Sequence, residues 1–137
     1  MTRHTAAPIH LATRSDEPLG LVGERLAVAH LIGDDGLDVR DCNWRVRTGE
    51  VRGELDVVAL DHVAGLVVIV EVKARRSDAQ GGPLAAVTPR KQQRIRALTG
   101  RLLAESELPY RRVRFDVVGL WLPRGQAGRL EHIQGAF

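Results

Sequence analysis

Residues 54–75 read ELDVVALDHVAGLVVIVEVKAR. Two apolar runs, 55–60 and 66–72, flank the short connection Asp61-His62-Val63-Ala64-Gly65. The first is nearly continuous and is interrupted by Asp56; the second is β-branched and almost wholly apolar apart from Glu71. Runs of this kind belong to strands covered on both faces, and so short a connection joins them as an antiparallel hairpin. Asp56 and Glu71 are then anomalies, because an ionised carboxylate is seldom buried without a partner. A four-residue loop at His62–Gly65 sets Asp56 opposite Glu71; a five-residue loop moves them by one step and leaves them close. Like charges directly opposed are destabilising, so a cation must sit between or beside them. The two-residue period of a strand puts Lys73 on the face of Glu71.

Outward from the hairpin, Leu19 to about Ile32 carries a helical stripe (Val22, Leu26, Ala29, Leu31, Ile32) closed by Gly33-Asp34-Asp35-Gly36. Glu24 falls in its first turn, where a carboxylate is favoured in any case. Leu37 to Arg47 alternates loosely and reads as a strand ending at Thr48-Gly49. Residues 74–87 read as a loop. Thr88-Pro89 is a good helix start, and that helix carries Ile95, Leu98, Leu102 and Leu103 as far as Leu108-Pro109. Arg112 to Leu122 is a strand and Leu130 to Ile133 a short last one. The expected architecture is α/β, an αβββαβ order forming a mixed β-sheet flanked by helices. The strands on either side of the second helix should be parallel. Residues 1–18 show no periodicity and read as a flexible N-terminal extension, leaving 19–137 as a single domain.

Composition narrows the function class. The chain has 137 residues, 44% hydrophobic and 27% charged, with a formal net charge of +3. The longest apolar run, Leu66–Val70, is far short of a membrane span. With no signal-peptide pattern and one cysteine, Cys42, a cytoplasmic location is expected, and a disulfide scaffold is excluded. Of the 20 cations only two, Lys73 and Lys91, are lysines. A compact ammonium differs chemically from a wide, fixed guanidinium.

The acids and Lys73 admit two readings. One is a structural ion cluster at a strand end. The other is a site in which two carboxylates, with a third from Glu24, hold a hard divalent cation while the lysine works beside it. Among the remaining residues, Glu54 is either a further acid of the site or a partner for an arginine. Arg75 and Arg76 could grip phosphates or simply be solvated. Lys91 and Gln92 sit in the first turn of the second helix, an end that favours phosphate. Asp116 reads as a structural partner of Arg112 or Arg114. The histidines show no metal-ligand spacing, and His132 reads as packing or capping.

Asp56 followed by Glu71-Val72-Lys73 on the next strand resembles the signature of the PD-(D/E)XK nuclease superfamily, and the element order resembles its restriction-endonuclease-like core. More closely, the chain resembles the YraN-like family of small bacterial proteins, a branch similar to Holliday-junction resolvases. The matching pieces are Gly23-Glu24 with Ala27, Asn43 with Arg45, Gly53-Glu54-Leu55-Asp56, Glu71-Val72-Lys73 with Arg75, Lys91, Arg114-Phe115-Asp116, His132-Ile133 and Ala136-Phe137. Leu55 stands where the superfamily name has proline, which removes no ligand. The resemblance implies that Asp56 and Glu71 hold Mg²⁺ or Mn²⁺, with Glu24 and the Val72 carbonyl as further ligands. Lys73 would orient or deprotonate the attacking water or offset charge on the phosphate. It implies a metal-dependent endonuclease acting on DNA, including branched DNA, with Arg45, Arg75, Arg76, Lys91 and Gln92 toward nucleic acid. It also suggests a homodimer, since a junction has two strands to cut. The rival reading is a non-catalytic nucleic-acid-binding module or adaptor that retains the nuclease fold.

Overall fold

The computed structural model describes residues 2–9, 17–46, 49, 51–77 and 81–137. Its elements are β1 (Arg3–Ile9), α1 (Leu19–Gly33), β2 (Asp38–Arg45), β3 (Glu54–Asp61), β4 (Leu66–Arg75), a 3₁₀ turn (Pro83–Ala86), α2 (Pro89–Glu105), β5 (Val113–Trp121) and β6 (Gly128–Gln134). One mixed sheet runs β1-β6-β5-β4-β3-β2. Among the described residues only β4 and β5 pair in parallel, across the connection that contains α2; the other pairs are antiparallel. This is the α/β architecture expected of a restriction-endonuclease-like core. Among the described residues no helix is long and apolar enough to cross a membrane.

The continuous apolar runs are explained by a helix on each face. Val68 and Val70 join Val22, Ala27 and Leu31 of α1 in one core. Val67 and Ile69 join Ile95, Leu98 and Leu102 of α2 in the other. The α1 face packs unusually close. A Cβ on Gly23 would lie 2.6 Å from Ala74 Cβ, so only glycine lets the helix approach the end of β4 at that point.

The hairpin has the four-residue turn. Val57 pairs with Val70 and Val58 with Ile69, and Gly65, at φ +70°, donates its N–H to the Asp61 carbonyl at 2.8 Å. Asp61 Oδ1 accepts from Val63 and Ala64 N–H at 3.0 and 2.9 Å, the side-chain device that stabilises such a turn.

Three expectations need correction. Residues 3–9 are not a loose extension: they form edge strand β1, in register from Arg3–Gln134 to Ile9–Gly128 of β6. Nearly every β1 side chain is exposed, so its backbone ladder leaves no apolar periodicity in the sequence, and Pro8 is tolerated on an edge. Residues 10–16, and the strand end expected near Arg47 and Thr48, lie outside the described residues. Glu24 is not in the first turn of α1 but in the second, since the helix begins at Leu19. The second helix also stops earlier than expected, at Glu105.

Candidate active site at the β3–β4 strand ends

The sheet breaks its alternation where the acids lie. Val57 and Ala59 face α1, whereas Leu55 faces α2 together with Val58 and Leu60. The change of face therefore falls at Asp56. Partner strand β2 stays in register with it: Cys42 pairs with Val57, which faces α1, whereas Trp44 pairs with Leu55 and packs with it on the α2 side. Between them stands Asn43 at φ +57°, the one non-glycine residue with positive φ among those described. Asparagine tolerates this region better than most residues. The break takes the Asp56 carboxylate out of both apolar layers.

The ladder between β3 and β4 ends at Val57–Val70. Beyond it, the Val72 N–H donates to Asp56 Oδ2 at 2.8 Å, so a side chain replaces the missing strand partner. Asp56 and Glu71 stand close enough to share a proton. Burial pushes the Asp56 carboxyl up, the Glu71 charge and that shared proton push it further, and Glu24 adds a little. The Val72 N–H opposes them, but the balance lies at about 7. The expected confrontation of two acids is thus present, one from each arm of the hairpin.

The cation beside them is not the expected one. Glu71, whose side chain is only 9% exposed, is met at 2.5 Å by Lys91 Nζ from the first turn of α2. Thr88 caps that turn, its Oγ1 accepting from Lys91 N–H at 3.2 Å, with Pro89 as the first helical residue. Lys73 is exposed, and among the described residues it forms no ion pair. It lines a cleft with Gly82, Pro83, Gly119 and Arg75. Gly119, its partner in β5, is required there, because a Cβ would meet Pro83 Cγ at 2.2 Å.

Glu24 stands on the α1 side of the pair, with Oε2 accepting from Asn43 Nδ2 at 3.2 Å. The remaining expected contact residues are partly committed elsewhere. Arg45 is bound to Glu54 at 2.5 Å, which makes Glu54 an arginine partner. Arg76 donates to the Leu122 carbonyl at 3.1 Å and accepts from Trp121 Nε1. The Gln92 amide donates to the Val87 carbonyl at 3.1 Å and ties down the loop before α2. Arg75 lies in the cleft with Lys73. The structure therefore gathers Asp56, Glu71, Lys91 and the Val72 N–H, with Glu24 and Lys73 flanking. It does not bring Arg45, Arg76 or Gln92 to the acids with their polar groups unengaged.

Sequence reasoning separated Lys91 from the acids. Its one signal was its rarity, shared with Lys73. Asp116 was read correctly as an arginine partner: Arg114 Nε and Nη2 reach its two oxygens at 2.9 and 3.0 Å. His132 is fully buried and bonds Asp116 Oδ2 at 2.8 Å, a polar partnership that spacing did not reveal.

Comparison with known proteins gives the family of the chain. A model of the uncharacterised protein family UPF0102, the YraN family of the sequence motifs, matches residues 23–120. A UPF0102 protein of Mycolicibacterium gilvum (strain PYR-GCK) is 45% identical over 125 residues, covering 90% of this chain and 98% of the relative. Another, from Mycobacterium avium (strain 104), is 44% identical over 117 residues, covering 85% and 88%. A third, from Mycobacterium sp. (strain JLS), is 43% identical over 129 residues, covering 94% and 90%.

Proposed function

The chain belongs to the uncharacterised protein family UPF0102, and we propose that it is a metal-dependent nuclease that hydrolyses DNA phosphodiesters. The observation that carries this reading is the meeting of Asp56 and Glu71 from adjacent strands, crowded enough to hold the Asp56 carboxyl near 7. Two oxygen-donor carboxylates in that state fit Mg²⁺ or Mn²⁺, which prefer such ligands. Asp56 and Glu71 would hold the ion, with Glu24 adding negative charge from the helix side. When bound, the ion supplies Lewis-acid polarisation of a phosphoryl oxygen.

The chain's own residues do the rest. Asp56 is kept in position by the Val72 N–H. Lys73, exposed two residues beyond Glu71, meets the attacking water or offsets charge that develops on the phosphate oxygens. A net charge of +3 gives little general attraction for a polyanion, so a local face must supply the grip. Arg75, beside Lys73 in the cleft, is the nearest candidate for phosphate contact.

The Lys91–Glu71 pair favours a second reading, because it leaves the cluster partly neutralised without any added ion. On that reading the protein is a non-catalytic nucleic-acid-binding module that keeps a nuclease fold. The deciding experiment is cleavage of duplex, single-stranded and four-way DNA with Mg²⁺ or Mn²⁺, comparing wild type with Asp56→Ala and Lys73→Ala. The nuclease reading expects turnover in the wild type and its loss in both variants. Binding without turnover, indifferent to Lys73, selects the module.

A further inference from the structure

At the far end of α1 from Glu24, three side chains from separate parts of the chain converge: His30 of α1, Asp35 of the turn after it and His132 of β6. Among the described residues they form the one group of three His, Cys, Asp or Glu side chains whose ligand atoms gather within 4.8 Å. His30 Nε2 lies 3.0 Å from His132 Nδ1. Asp35 Oδ2 lies 3.0 Å from His132 Nδ1 and 3.6 Å from His30 Nε2.

The outer partners decide which ring nitrogens carry protons. His132 Nε2 faces Asp116 Oδ2 at 2.8 Å. Asp116 is already an acceptor, taking Arg114 Nε and Nη2 at 2.9 and 3.0 Å and the Gly135 N–H at 3.1 Å. Facing that carboxylate, His132 donates through Nε2. His30 Nδ1 likewise faces Asp34 Oδ2 at 2.8 Å, so its proton belongs on Nδ1. In their neutral forms both rings then direct a lone pair at the same point. The third atom there, Asp35 Oδ2, is enclosed and accepts no hydrogen bond. With both rings neutral, the three acceptors have no donor between them, and only a positive centre joins them.

We propose that His30, Asp35 and His132 form a site for a divalent transition-metal ion, zinc foremost, clasping the end of α1 to β6. Two imidazoles and one carboxylate are borderline-soft N and O donors that suit zinc. An ion with tetrahedral ligands at about 2.0–2.1 Å spaces them by roughly 3.3 Å, and the separations of 3.0, 3.0 and 3.6 Å bracket that value. Each histidine also hydrogen-bonds a carboxylate through its other nitrogen, the arrangement that orients metal-bound imidazoles. Asp35 borders a cleft of about 280 Å³ that also touches Thr5 and Arg114. Charge agrees too: Asp34, Asp35 and Asp116 outnumber Arg114, the guanidinium that binds Asp116.

The test is titration of the chelator-stripped full chain with Zn²⁺ by calorimetry, and with Co²⁺ by its visible absorption. Both are done in an Asp56→Asn/Glu71→Gln background, so that the acids of the proposed nuclease site contribute nothing. The expected result is one equivalent bound with a tetrahedral cobalt spectrum, and a rise in melting temperature with Zn²⁺. His30→Gln and Asp35→Asn, neither of them fully buried, should each weaken binding at least tenfold while the metal-free fold persists. The proposal is overturned if the background protein binds no stoichiometric ion, in which case the pair of histidines holds a shared proton instead. It is equally overturned if binding is indifferent to both substitutions. DNA cleavage is not read in this experiment, so its outcome is independent of the nuclease reading.

Discussion

Lys91 Nζ lies 2.5 Å from Glu71 Oε1, so the more buried acid of the hairpin takes its counter-ion from a helix and not from Lys73, its neighbour on the same strand. The ammonium and any divalent cation at the acids compete for the same carboxylate. Lys91 is thereby a built-in counter-charge for the metal-free cluster.

Replacing Lys91 with methionine should expose that competition. It leaves Glu71 beside Asp56 without its ammonium, and loss of one partner of a largely buried pair is destabilising. Because the Lys91 side chain is 26% exposed, the expected cost is moderate, about 1–3 kcal/mol. Thermal melts at pH 8 should show the loss, and added Mg²⁺ should recover part of it. Equal melting of variant and wild type would show that the pair contributes nothing.

Asp56→Asn should stabilise the protein at alkaline pH. The folded-state carboxyl sits at about 7 against an ordinary value of 3.8, so the native chain binds more protons than the unfolded one in that window. Stability from this group therefore falls as pH rises from about 4 to about 7. Asparagine removes the repulsion and keeps an acceptor for the Val72 N–H. The melting temperature of the variant should match wild type near pH 4 and exceed it at pH 8, by an amount worth roughly 1–3 kcal/mol. A pH-independent difference would contradict this account of the pair.

Gly23→Ala tests how tightly α1 must pack to bring Glu24 to the site. Alanine is the better helix former, by about 1 kcal/mol. Its Cβ, however, would sit 2.6 Å from Ala74 Cβ, and neither group can rotate away. Overpacking of this kind costs about 1–3 kcal/mol, so net destabilisation is expected in urea melts. Adding Ala74→Gly should restore part of it.

Asp116→Asn should be among the more damaging single changes. Asp116 is fully buried and serves Arg114, His132 and the Gly135 N–H together. Neutralising it leaves the guanidinium short of charge, and a loss of about 3–5 kcal/mol is expected from a broken buried pair. Chemical denaturation measures it. A loss below about 1 kcal/mol would mean that Arg114 finds Asp61, 3.7 Å away, an adequate substitute.

Much of the architecture was legible because strands and hairpins obey local rules. The run Leu66–Val70 could only be a strand covered on both faces, and a short turn left two neighbouring registers, of which the structure adopts the one that pairs Val57 with Val70. The same reasoning brought Asp56 to Glu71, fifteen residues apart in sequence but neighbours by register. It missed β1 because an exposed edge strand is held by backbone hydrogen bonds, which carry no side-chain pattern. It also missed the face change at Asp56 and Asn43, since a broken alternation looks like a continuous apolar run.

The sequence by itself determined the order of elements from α1 onward, the β3–β4 hairpin and the approach of its two acids, because each follows from a period or a short loop within a short stretch of chain. Tertiary structure alone decided that Lys91 rather than Lys73 pairs with Glu71, and that His30 meets His132, 102 positions away. Those encounters depend on how far α1 and α2 extend and how closely each packs on the sheet. Such distances are set by the two cores as a whole, and no local pattern of residues encodes them.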